Sequence, residues 1–133
     1  MKTIKFLFAT VIMLLSLSAS AQTSKVVAIV NKADWCSICK AYAGRTVEAF
    51  TANNSDSYFQ FIVNDITNED TKKTSQPAVK KVGLEKTVEN SLASGVLSFY
   101  DAKSKKLLAQ VTVANSPEEI ATVMKMVREK AGM

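Results

Sequence analysis

The chain has no histidine, only two cysteines, two prolines and one tryptophan in 133 residues. Without histidine, no imidazolium can stabilise a thiolate. With two cysteines, one chain supplies at most half of a tetrahedral thiolate site, so a bound metal would need a dimer sharing four cysteines. The one long apolar run, Phe6 to Leu17, is about a dozen residues and too short to span a bilayer comfortably. The lysine pairs Lys72-Lys73, Lys80-Lys81 and Lys105-Lys106 have no interleaved aromatics. The formal charge of +5 therefore reads as a solvated surface and not as a nucleic-acid site. No internal repeat, low-complexity tract or second domain is visible.

What is present begins with an export pattern. Lys2 and Lys5 precede the apolar run, and Ala19-Ser20-Ala21 follows it as an A-x-A cleavage site. Residues 1–21 are expected to be a cleaved signal peptide and 22–133 the folded domain. The short run argues against an uncleaved anchor, and no cysteine stands at the cleavage site to carry a lipid. The expected location is a bacterial periplasm, or the medium after secretion, where disulfides persist. The mature chain, about 110 residues, is long enough for one modest core.

Both cysteines and the tryptophan fall within Asp34-Trp35-Cys36-Ser37-Ile38-Cys39-Lys40. The run Val26-Val27-Ala28-Ile29-Val30 before it reads as a strand buried on both faces. The segment after it, about Cys36 to Ala52, has helical spacing, with an apolar stripe of Cys39, Ala43, Val47 and Phe50 widened by Tyr42. Gly44 lies in mid-helix, where it marks a bend or tight packing on the sheet. A C-x-x-C at a strand-to-helix junction reads as a redox motif. Both sulfurs then sit at the first helical turn, where free N–H groups and the helix dipole favour a thiolate. Cys36 is expected to be the more exposed and the more acidic of the two.

Tyr58 to Val63 reads as a second strand closed by Asn64-Asp65. The polar stretch from Ile66 to Ser75 leads to a short helix from Pro77 to Val82, stopping at Gly83 or running on irregularly to Ser91. Val96 to Tyr100 and Leu107 to Val113 form a hairpin across the turn Asp101-Ala102-Lys103-Ser104. Ser116-Pro117-Glu118-Glu119 starts the last helix, with Ser116 as N-cap, proline at the first helical position and Glu119 completing a capping box. Its buried stripe is Ile120, Val123, Met124 and Val127.

The Trp-Cys-x-x-Cys motif and the order β-α-β-α-β-β-α resemble the thioredoxin-like family across about residues 24 to 131. The resemblance implies an α/β three-layer sandwich around a mixed four-stranded sheet. It implies thiol–disulfide exchange on protein thiol and disulfide substrates, with Cys36 as nucleophile and Cys39 as resolving thiol. Trp35 and the backbone of Ser94 and Gly95 would shape the substrate surface. No cofactor or metal is implied, and the molecule is expected to be a monomer served by a membrane or periplasmic redox partner. The sequence departs from the family in two places. Val30 stands where thioredoxins carry a buried acid, and Gly95 stands where they carry a proline facing the cysteines. Asp34 opposes a thiolate at Cys36, and Lys40 can offset it.

Two other readings of the motif remain at this level. The Cys36–Cys39 pair can be a structural disulfide in a binding module. It can also hold zinc or iron, since Gly95 takes away the proline that keeps metals off the thiols.

Overall fold

The computed structural model describes residues 23–91 and 93–132; the signal-peptide expectation falls on 1–21, outside the described residues. The elements in chain order are β1 (Val26–Lys32), α1 (Ser37–Ala52), β2 (Phe59–Asp65), α2 (Glu69–Lys81), α3 (Glu85–Glu89), β3 (Val96–Asp101), β4 (Leu107–Thr112) and α4 (Pro117–Lys130). They build one four-stranded sheet in the order β2-β1-β3-β4. β1 runs parallel to β2 and antiparallel to β3, and β3 runs antiparallel to β4.

β1 occupies the interior of the sheet, and its alternating side chains feed two cores. Val26, Ala28 and Val30 face Ala49 and Phe50 of α1 and Ile120, Met124 and Val127 of α4, together with Leu97, Phe99, Val111 and Val113. Val27 and Ile29 face Val79 of α2 and Leu84 and Val88 around α3, with Ile62 and Tyr100. The result is the three-layer arrangement expected from an apolar run with no polar face. Phe59 anchors the larger core, meeting Phe50 and Phe99 edge to face with centroids 5.7 Å apart in each case. The Ser116–Glu119 capping box forms as expected, with Pro117 opening α4.

Three expectations are corrected. The second helix begins two turns before Pro77, at an Asn68 cap whose side chain accepts the N–H groups of Asp70 and Thr71, with Thr71 returning the bond. Its polar stretch hid it, because Val79 is its only buried residue. Such a helix rests on its cap, on acids in its first turn and lysines in its last, and carries no apolar stripe. Pro77 lies inside it on the exposed side, where water can serve the carbonyl deprived of a donor. Gly83, at φ +73°, then turns the chain into the separate short α3. Finally, the buried face of α1 is Cys39, Thr46, Ala49 and Phe50, while Ala43 and Gly44 face outward and Val47 is 46% exposed. Thr46 can be buried because its hydroxyl donates to the Val113 carbonyl at 3.1 Å. Gly44 has open space where a side chain would be, so it marks no tight packing.

Candidate active site

The carboxyl ends of β1 and β2 and the start of β3 converge on the first turn of α1. Cys36 is the N-cap of α1, with φ −85° and ψ 109°, and its sulfur accepts the Cys39 N–H at 3.4 Å. A thiol thus occupies the position usually filled by serine or aspartate, where a negative atom meets free N–H groups. Cys39 follows one turn later, pointing into a small cluster with Ala33, Cys36 and Ile66.

The two sulfurs differ in acidity. Burial works against a Cys36 thiolate, but hydrogen bonds from the Cys39 thiol, the Ser94 hydroxyl and the Cys39 and Ile38 N–H groups outweigh it, so its pKa falls below the ordinary thiol value. Burial pushes the Cys39 thiol up, and its hydrogen bond to Cys36 pushes it further. Cys36 is therefore the more acidic of the pair, as expected. Its expected greater exposure amounts to almost nothing, since both are buried: Cys36 is 6% and Cys39 5% accessible. The side chain of Ile38 and the loop before β3 meet close to it.

That loop carries Ser94 and Gly95. Gly95 has φ +75°, and a Cβ built on it would lie 3.6 Å from the Cys36 sulfur and 2.5 Å from Cδ1 of Ile38. Gly95 does come close to Cys36, and both of its backbone groups already hold bonds within the protein. Its N–H donates to the Asn31 carbonyl at 2.7 Å, and its carbonyl accepts the Val113 N–H at 2.9 Å. The space that a side chain at Gly95 would take is filled by Ile38. No cluster of three or more metal-binding side chains occurs among the described residues.

Trp35 is 63% exposed on the rim, steered by an Nε1–H bond of 3.2 Å to the Thr67 carbonyl. Thr67 Oγ1 accepts the Asp34 N–H and donates to Asp65, so the motif loop is tied to the end of β2. Asp34 is itself paired with Lys32 at 3.4 Å, and Lys32 also reaches Asp65 at 3.4 Å. The opposition to a thiolate expected from Asp34 is thus met by Lys32, with Lys40 on the outer face of α1. Burial pushes the Asp65 carboxyl up, but bonds from Thr67 and the charge of Lys32 bring it below the ordinary range. Behind Cys39 lies an apolar cleft of about 110 Å³, lined by Val30, Ala43, Val47, Phe61 and Val63, with Lys32 as the charged residue on its wall.

Sequence reasoning passed over Ile38 as a cover, Thr67 and Lys32 as tethers, and Asn31 and Asn64. Both asparagines end apolar strands, a signal that the sequence did contain.

A mixed sheet in the order β2-β1-β3-β4, with helices on both faces and a C-x-x-C where β1 passes into α1, defines a thioredoxin-like fold. Among solved structures the chain is similar to DsbH oxidoreductase, at 14% identity and a TM-score of 0.52, covering 79% of this chain and 74% of that one. It is similar to Trxlp from Edwardsiella tarda EIB202, at 18% identity and a TM-score of 0.48, covering 75% and 82%. It is also similar to thioredoxin from Fasciola hepatica, at 16% identity and a TM-score of 0.49, covering 78% and 83%. No protein-family model matches the sequence, and no curated protein does.

Proposed function

We propose that the protein is an exported thiol–disulfide oxidoreductase acting on protein substrates. The observation that carries this reading is the place of Cys36 as N-cap of α1, its sulfur accepting the Cys39 N–H at 3.4 Å with the second thiol one turn on. The Cys36 thiolate attacks one sulfur of a substrate disulfide, forming a mixed disulfide and releasing the other sulfur as a thiolate, which takes up a proton. Cys39 then loses its proton and attacks the Cys36 sulfur. The second substrate thiolate leaves, and the protein holds a Cys36–Cys39 disulfide. Two electrons have passed to the substrate, and the reverse sequence oxidises it. Trp35 and Ile38 offer apolar surface to the incoming chain, and Ser94, beside Cys36, supplies the polar contact.

Export rests on Lys2, Lys5, the apolar run and Ala19-Ser20-Ala21, and a periplasmic location follows from it. In that compartment, renewal of the pair falls to a membrane or periplasmic redox partner. One chain holds both thiols, so a monomer suffices.

A second reading has the low exposure of Cys36 in its favour: a binding module in which the pair forms a structural disulfide. One set of measurements separates the two. Mature protein should catalyse reduction of a protein disulfide by dithiothreitol, and Cys39→Ser should accumulate mixed disulfides with substrate. Absence of turnover and of any trapped species overturns the oxidoreductase reading. A Cys36–Cys39 potential below about −300 mV would then support the structural disulfide.

A further inference from the structure

We propose that Thr67 is a positioning residue for substrate capture: its hydroxyl and its carbonyl, anchored on Asp65, hold the Asp34–Trp35 loop so that the indole is presented in one orientation beside the thiol pair. The inference deepens the oxidoreductase reading and rests on it for its purpose.

Trp35 is 63% exposed, so packing does not hold it. An indole free to turn loses that freedom each time a substrate settles on it, and affinity falls accordingly. Its one polar group, Nε1–H, donates to the Thr67 carbonyl at 3.2 Å. One residue earlier in the loop, the Asp34 N–H donates to Thr67 Oγ1 at 2.9 Å. Thr67, 32 residues beyond Trp35, thus meets two consecutive residues of the motif loop, one through its main chain and one through its side chain.

Thr67 is itself fixed from behind. Its N–H donates to Asp65 Oδ1 at 3.0 Å, and its hydroxyl donates to the same oxygen. A hydroxyl has a single hydrogen. Since Asp65 receives it, the oxygen lone pairs are left for the Asp34 N–H, and the direction of both bonds is set. Asp65 is held in turn. Its N–H donates to Ser75 Oγ on α2 at 3.0 Å, and its Oδ2 pairs with Lys32 of β1 at 3.4 Å. Through one threonine, the motif loop is tied to both β2 and α2. These bonds lie at or near the surface, where water competes for each. The set therefore acts on the direction of the indole more than on stability. Only a γ-hydroxyl can serve at position 67. Valine has the shape of threonine without donor or acceptor, and serine has both without the methyl.

The chain holds one tryptophan, so its fluorescence reports Trp35 alone. The test is time-resolved fluorescence anisotropy of the reduced mature protein, with KM and kcat for a protein disulfide. In wild type the decay should follow the tumbling of the whole molecule. Thr67→Val should add a fast component, and should raise KM about fivefold, more than it changes kcat, as ordering of one side chain moves into the binding step. Thr67→Ser should restore both. Asp65→Ala leaves the Thr67 side chain in place but takes away its anchor, and should free the indole as Thr67→Val does. Asp65→Asn keeps an Oδ1 acceptor without the charge, and should not.

An unmoved decay in Thr67→Val overturns the proposal, as does a serine variant that behaves like the valine one. A freer indole with an unmoved KM overturns it too, because the tether would then serve the loop and not the substrate. Anisotropy needs no turnover. An inactive protein in which Thr67→Val still frees the indole defeats the oxidoreductase reading, and the substrate role with it, but not the tether. An active protein whose indole moves alike in every variant defeats the tether alone.

Discussion

Ile38 lies where a side chain on Gly95 would be: a Cβ there would stand 2.5 Å from its Cδ1 and 2.9 Å from its Cγ1. The residue between the cysteines and the glycine before β3 therefore fit each other, and the glycine stands close to the Cys36 sulfur. The bulk that a proline would bring to the loop comes instead from the helix.

Gly95→Ala should cost stability twice over. Its φ of +75° carries about 1–2 kcal/mol for a residue with a Cβ, and Ile38 must turn aside. Urea unfolding should show the loss. Adding Ile38→Ala should recover the steric part and leave the backbone part. A variant as stable as wild type would contradict the left-handed conformation at this position.

Ile38→Ala should uncover the nucleophile. The Cys36 sulfur gains access while its hydrogen bonds remain, so iodoacetamide should alkylate it several times faster without moving the midpoint of its pH profile. A slower reaction, or a shifted midpoint, would show that Ile38 supports the thiolate and does not merely cover it.

Far from the cysteines, Asp56 and Arg128 tie the turn before β2 to α4 through a two-pronged contact of 2.7 and 2.8 Å. The Arg128 guanidinium draws the Asp56 carboxyl down to about 2 from its ordinary 3.8. A carboxyl depressed on folding stabilises the protein above its unfolded pKa, and the gain is lost as pH falls through the folded one. The difference in urea stability between wild type and Asp56→Asn should therefore be constant above pH 3.8 and shrink to nothing by about pH 2. A difference that survives at the acid end would assign the contribution to shape and not to charge.

Much of this architecture could be read along the chain. Val26 to Val30 has no polar face, which requires cover on both sides, and two cores were found. Ser116, Pro117 and Glu119 bond only to groups within one turn of themselves, so their cap was visible as sequence. The α2 helix was missed because apolar periodicity reports burial, and this helix buries one residue. The α1 stripe was misplaced for a related reason. Thr46 looks polar in sequence but spends its hydroxyl on Val113, 67 positions away.

The sequence by itself determined the thiol pair and its place at a strand-to-helix junction, because local backbone geometry suffices to put a thiol against helix N–H groups. Tertiary structure alone decided how reachable Cys36 is and which groups attend it. Ser94 and Ile38 are 56 residues apart, and Asn31 lies 60 from Ser91. Only the pairing of β1 with β2 and β3 brings them together, and long-range hydrogen bonds leave no periodic trace in a chain.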